Sequence, residues 1–220
     1  MNLERLPLTA VYHPVSIKSS DDDGFLMVVL HGRGDSPEGF AWLPAELGIS
    51  NLGYLMVQAP DDYFGGYSWY DLPPNRLPGI LRSRAVLNQL FDELAHQGYR
   101  FEQIVLLGFS QGCLMTLEFG ARYAHRLAGY IGISGFCNDA HLLASEADAT
   151  AKTGNWLITH GTDDEVISFE ETRDQIATLQ QSGFDIEFRA YEKTHTIDSV
   201  LELPYLRQWI LNRLETKAKT

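Results

Sequence analysis

Positive charge is scarce in this chain. Seventeen lysines and arginines stand against 29 aspartates and glutamates, a net charge of −12 over 220 residues. That balance repels nucleic acid and anionic lipid surfaces, so neither is expected as a partner. Cysteine is scarcer still: Cys113 and Cys137 are too few for a disulfide framework. Long apolar runs are missing too. Phe25–Leu30 and Ile104–Leu107 fall far short of the ~18 residues that cross a bilayer, so no stable membrane insertion is expected. The first residues carry a charge pair and Pro7 where a secretory leader needs unbroken apolar sequence, which predicts a cytoplasmic protein. The histidines and cysteines show no close ligand spacing, and there is no P-loop or dinucleotide fingerprint, so neither metal nor cofactor is expected.

What is present is an alternation of short apolar runs with amphipathic stretches, the pattern of an α/β chain with a mostly parallel central sheet and helices on both faces. Strands are predicted at Phe25–Leu30, Tyr54–Val57, Ile104–Leu107, Tyr130–Ile133 and Trp156–Thr159, with a half-exposed edge strand at Phe184–Phe188 and another within Thr9–Ile17. Helices are read from Leu87, Leu90, Phe91 and Leu94; from Leu114, Leu117, Ala121 and Ala124; from Phe169, Ile176 and Leu179; and from Leu203, Leu206, Ile210 and Leu214. The end at Lys217 and Lys219 is expected to fray. No repeat or linker interrupts residues 1–220, which read as one domain.

Residues 61–78 break this rhythm with three prolines and the aromatics Tyr63, Phe64, Tyr67, Trp69 and Tyr70. A connection of that length without a period is functional or disordered, and its aromatics argue for an ordered loop over an apolar site. An aromatic minicore under a surface loop is the plainer alternative.

The chemistry concentrates after four strands. Gly108-Phe-Ser110-Gln-Gly112 follows one strand and opens a helix, the strand–turn–helix setting of a nucleophile elbow. Read plainly, Ser110 would be a helix N-cap. A serine nucleophile needs a base, and the base needs an orienting acid. The loop His160-Gly-Thr-Asp163-Asp164 offers two acids, and His195 is the only histidine that follows them. His31-Gly-Arg33-Gly-Asp35 ends the first buried strand, where glycines let backbone approach a ligand. The amide of residue 33 or 34 could there join that of Gln111 as an oxyanion hole.

On these residues the chain resembles the phospholipase/carboxylesterase family of α/β-hydrolases, which includes bacterial carboxylesterases and acyl-protein thioesterases. The resemblance covers about residues 25–211. It rests on Leu30-His-Gly-x-Gly-Asp-Ser36, Ala59-Pro60, Ser68-Trp-Tyr-Asp71, Gly108-Phe-Ser-Gln-Gly112, Ile133-Ser-Gly-Phe136, His160-Gly-x-x-Asp164, and Tyr191 four before His195. It implies an α/β-hydrolase fold with Ser110 as nucleophile, Asp164 as acid and His195 as base. Arg33 and Gln111 would supply the oxyanion amides, and Trp69, Tyr67, Phe64 and His31 would face the substrate. Leucine is common in the family at the position of Arg33, and glycine just before or three before the base, where Lys193 and Thr194 now intervene. A cationic Arg33 either favours acidic substrates or points to solvent. The expected activity is hydrolysis of a small-molecule carboxylic ester or thioester through an acyl-enzyme, with a homodimer possible. The alternatives are a lysophospholipase, an acyl-protein thioesterase and a non-catalytic relative that only binds a ligand.

Overall fold

The computed structural model describes residues 1–16 and 24–217, with side chains described through Leu214. Seven strands form one sheet: β1 (Ala10–His13), β2 (Phe25–Leu30), β3 (Leu52–Val57), β6 (Ile104–Phe109), β7 (Gly129–Ile133), β8 (Trp156–Gly161) and β9 (Ile186–Tyr191). Two more, β4 (Asp61–Tyr63) and β5 (Gly66–Ser68), pair as a separate hairpin. The helices are α1 (Leu43–Leu47), α2 (Arg76–His96), α3 (Gln111–Gly120), α4 (Ala140–Glu146), α5 (Ala149–Lys152), α6 (Phe169–Gln181) and α7 (Glu202–Lys217). Strand order is β1-β3-β2-β6-β7-β8-β9, and only β1 runs antiparallel to its neighbour.

Each apolar run is a strand covered twice. Leu26, Val28 and Leu30 of β2 face a core with residues of α2, α3 and α6, while Phe25, Met27 and Val29 face a second core with residues of α1 and α7. Alternate side chains of one strand point to opposite faces, so a strand buried on both sides reads as an unbroken apolar run. β9 lies at the sheet edge and is correspondingly mixed in burial.

This order places the chemistry. β3 lies on one side of β2 and β6 on the other, so the chain reverses direction around β2. The loops leaving the C-terminal ends of β2 and β6 then diverge and open a crevice, the usual ligand position in such sheets. Those two loops carry Arg33 and Ser110.

Several boundaries move from their sequence expectation. Residues 61–78 are not one irregular loop. The β4–β5 hairpin occupies their first half, and α2 already begins at Arg76. Pro78 therefore sits in the first turn of α2, where its missing N–H costs nothing. β9 starts at Ile186 because the Phe184 amide bonds back to the Leu179 carbonyl at 3.2 Å and closes α6 instead. α4 and α5 were unpredicted; their caps Asp139 and Asp148 accept the Leu142 and Thr150 amides. Ile17 and Lys219 lie outside the described residues.

Candidate active site

Ser110 stands between β6 and α3 with φ 56° and ψ −114°. Such a conformation costs a non-glycine residue roughly 1–3 kcal/mol and persists only where surroundings impose it. Here the two glycines of the motif impose it. A Cβ on Gly108 would overlap the Gly112 carbonyl, and a Cβ on Gly112 would overlap the Leu30 carbonyl of β2. The turn is thus pressed against its own helix and against the neighbouring strand. The Ser110 side chain does not cap α3. Its Oγ–H instead donates to His195 Nε2 at 2.9 Å.

His195 Nδ1–H donates to Asp164 Oδ2 at 2.8 Å, a tautomer that follows from the acceptor-only carboxylate. The other carboxylate oxygen, Oδ1, accepts the amides of Val166 and Ile167, each at 2.9 Å. Burial pulls the Asp164 carboxyl upward, but the bonds from His195 and those two amides outweigh it and hold it below its ordinary value. Asp163, the other acid in the loop, is exposed and, among the described residues, its carboxylate accepts only from Thr162. The structure therefore brings Ser110, His195 and Asp164 into one line and leaves Asp163 out. Cys113, one turn along α3 from Ser110, is fully buried, and burial pushes its thiol up to about 12. It stays protonated and cannot compete as a nucleophile.

His31 serves a different purpose from the expected one. It is 1% exposed, its Nε2 accepts the Ala59 amide at 3.1 Å, and its Nδ1–H donates to the Gly32 carbonyl at 2.6 Å. Both nitrogens are spent on backbone, and burial lowers the pKa of the ring. His31 fastens the end of β2 to the segment after β3, not to a ligand. Trp69 is also fully buried and donates its indole N–H to the His31 carbonyl at 2.9 Å. Tyr67 is half-buried on β5, 6.4 Å ring to ring from His31. Its backbone exchanges bonds with Gly34 and Asp35, stitching the hairpin to the Arg33 loop. Phe64 stands apart, 97% exposed at the hairpin tip with only Tyr63 against its ring.

Gln111 does more than its motif position suggests. Its Oε1 accepts the Ser68 hydroxyl at 3.2 Å and the Trp69 amide at 2.9 Å, and its Nε2–H donates to the Tyr70 carbonyl at 2.8 Å. One side chain beside Ser110 thus positions the whole Ser68–Tyr70 segment. Among the described residues no hydrogen bond engages the main-chain amide of Arg33 or of Gln111. Arg33 does not reach freely into solvent. Its guanidinium lies 4.1 Å from the Tyr63 ring centroid, and its Nε is buried without a partner.

Two further groups escaped the sequence reading. His160 is fully buried; its Nε2–H donates to the Ile167 carbonyl at 3.0 Å and stands 3.5 Å from Asp164 Oδ2. Its place four residues before the acid was the available signal. Lys193 and Glu202 form a buried ion pair under the His195 loop, and nothing in their spacing announces it. Among the described residues no cluster of three histidine, cysteine or acidic side chains could hold a metal, and no helix is long and apolar enough to cross a membrane.

The phospholipase/carboxylesterase family model matches residues 13–209. The chain belongs to that family. It is thereby an enzyme, a carboxylic ester hydrolase of the serine class. Among family relatives, acyl-protein thioesterase 1 of Schizosaccharomyces pombe is 30% identical over 93% of this chain and 99% of that protein. The carboxylesterase SOBER1 of Arabidopsis thaliana is 29% identical over 87% of this chain and 91% of its own. The SOBER1 crystal structure superposes with a TM-score of 0.79, covering 86% of this chain and 99% of that one. The Bacillus cereus carboxylesterase, at 16% identity and a TM-score of 0.79 over 96% of both chains, shares the α/β-hydrolase fold.

Proposed function

We propose that this chain hydrolyses small carboxylic esters or thioesters through an acyl-enzyme on Ser110. The observation that carries the reading is the unbroken relay from Ser110 Oγ through His195 to Asp164, with bonds of 2.9 and 2.8 Å. Ser110 Oγ adds to the scissile carbonyl while its proton passes to His195 Nε2. The carbonyl oxygen takes up the negative charge, and the free amides of Arg33 and Gln111 are the donors available to it. The tetrahedral adduct collapses, the leaving alcohol or thiol takes the proton from His195, and Ser110 remains acylated. Water then gives a proton to the same nitrogen as its oxygen adds to the acyl carbon. The bond to Ser110 Oγ breaks, Oγ takes the proton back from His195, and the acid leaves. Asp164 keeps Nδ1 protonated throughout and stabilises the transient imidazolium.

Trp69 and Tyr67 form the wall behind the oxyanion loop in this reading, and the substrate is a small molecule met in the cytoplasm by a one-domain enzyme. The thioesterase name of the fission-yeast relative favours thioesters as a second substrate class, and a series of acyl lengths on both ester and thioester leaving groups separates the two.

The direct test is Ser110→Ala with a short-chain aryl ester. Turnover is expected to fall by roughly 10⁴-fold or more while the circular dichroism spectrum is unchanged. Retained hydrolysis in that variant would contradict the proposal by placing the nucleophile elsewhere. No turnover by the unmodified chain, with Ser110 unreactive towards a phosphonate, would leave a ligand-binding role.

A further inference from the structure

In a chain of net charge −12, Arg33 and Arg76 stand without an acid to pair with. Among the described residues, no carboxylate lies within 4.0 Å of a side-chain nitrogen of Arg33 or Arg76. They are also the two described arginines whose Nε is buried with no hydrogen-bond partner. An unsatisfied buried donor on a charged group is costly, and such a donor calls for a partner, whether water, an ion or a ligand.

Both reach the site by way of a glycine that touches Ser110. A Cβ on Gly32 would stand 3.4 Å from the Ser110 Cβ, and Arg33 is the next residue. A Cβ on Gly135 would stand 2.9 Å from the Ser110 carbonyl, and the next residue is Phe136, whose ring lies 4.8 Å from the Arg76 guanidinium. Arg33 rests likewise on Tyr63, at 4.1 Å. Each guanidinium is thus backed by an aromatic face, which fixes its plane. The one side-chain acceptor near either is Asn138 Oδ1, a long 3.5 Å from Arg76. Both charges act on Tyr70, whose carbonyl accepts from Gln111. Burial pushes its phenol well above the ordinary value, while the charges of Arg76 and Arg33 act on it in the opposite direction.

We propose that Arg33 and Arg76 form an anion subsite flanking Ser110, selecting esters or thioesters that carry a carboxylate a few bonds from the scissile carbonyl. The inference rests on the hydrolase reading above and narrows its substrate class. Planar guanidinium edges match a carboxylate in two-point geometry, and one from each side gives direction as well as charge.

The test compares matched esters in two arms. In the first, the carboxylate is on the acyl group: a mono-aryl glutarate against the aryl pentanoate. In the second it is on the leaving group: a carboxyphenyl butyrate against phenyl butyrate. One arm is expected to show a kcat/KM preference of about tenfold or more for the charged ester. That ratio is expected to collapse towards unity in Arg76→Gln and in Arg33→Gln, and to survive in part in Arg76→Lys. Because the readout is a ratio within each variant, a loss common to both esters cancels. Free glutarate is expected to inhibit the unmodified enzyme more strongly than pentanoate does, which needs no variant to fold. No charge preference in either arm, an unchanged ratio in Arg76→Gln, or equal inhibition by the two acids overturns the subsite while leaving the hydrolase intact. No turnover of any ester, with Ser110 unreactive towards a phosphonate, overturns the hydrolase reading and the subsite with it.

Discussion

The Lys193 ammonium donates to both carboxylate oxygens of Glu202, each at 2.7 Å, with side chains only 2% and 0% exposed. The same ammonium donates to the Thr196 carbonyl at 2.7 Å, one residue beyond the candidate base. Glu202 also accepts the Asp198 amide at 2.8 Å. The loop bearing His195 is therefore clamped to the start of α7 from both sides of the histidine. Removing one partner of such a buried pair strands the other charge. Lys193→Met is expected to cost about 3–5 kcal/mol in urea denaturation and to lower kcat more than it raises KM. Adding Glu202→Leu is expected to recover much of the stability, because an apolar pair replaces the stranded charge.

Asp164 links activity to acid stability. Its carboxyl is held below its ordinary value in the fold, so the folded state binds its proton less readily than the unfolded chain does. Its contribution is then fully present above the unfolded carboxyl pKa and lost as pH falls through the lower folded value. The stability of Asp164→Asn is expected to vary less than that of the unmodified protein across this acid range, measured by denaturant midpoints from neutral pH downwards. Its turnover at neutral pH is expected to drop by about 10⁴-fold, since the amide no longer fixes the imidazole tautomer.

Gln111→Ala removes the acceptor of the Trp69 amide and the donor to the Tyr70 carbonyl, both buried. The Tyr70 carbonyl still accepts the Ser68 hydroxyl at 2.9 Å, so the Trp69 amide alone is left unsatisfied and a loss of about 1–3 kcal/mol is expected in thermal or urea unfolding. The main-chain amide of residue 111 remains, so a rise in KM without loss of acyl-enzyme formation would mark the side chain as the support of the Ser68–Tyr70 wall.

Gly112 and Gly183 separate two reasons for glycine. Alanine at 112 would overlap the Leu30 carbonyl and stand 2.9 Å from that of His31, so about 4 kcal/mol or more is expected, with loss of activity. Alanine at 183 meets nothing within 4 Å and bears only the strain of φ +95°, about 1–2 kcal/mol, with activity kept. Parallel denaturation and ester assays of the two variants check this.

What the sequence revealed follows from what physics writes locally. Phe25–Leu30 reads as a buried strand because both its faces are covered, and Ser110 reads as an elbow because its flanking glycines answer two backbone contacts. The β4–β5 hairpin was hidden because strands of three residues are too short to show alternation. The start of α2 was hidden because Pro78 reads as a breaker except in a first turn. His31 resembles a ligand-facing histidine in sequence, and only the position of the Ala59 amide reveals it as a fastener. The Lys193–Glu202 pair depends on tertiary placement, which no local pattern encodes.

The central claim is that Ser110 is the nucleophile activated by His195. Stoichiometric labelling with a serine-directed fluorophosphonate, mapped by peptide mass spectrometry, tests it most directly. The account predicts one label per chain on Ser110, with esterase activity lost in proportion and labelling abolished in His195→Ala. A label on another residue, or full activity in a chain labelled at Ser110, would contradict it.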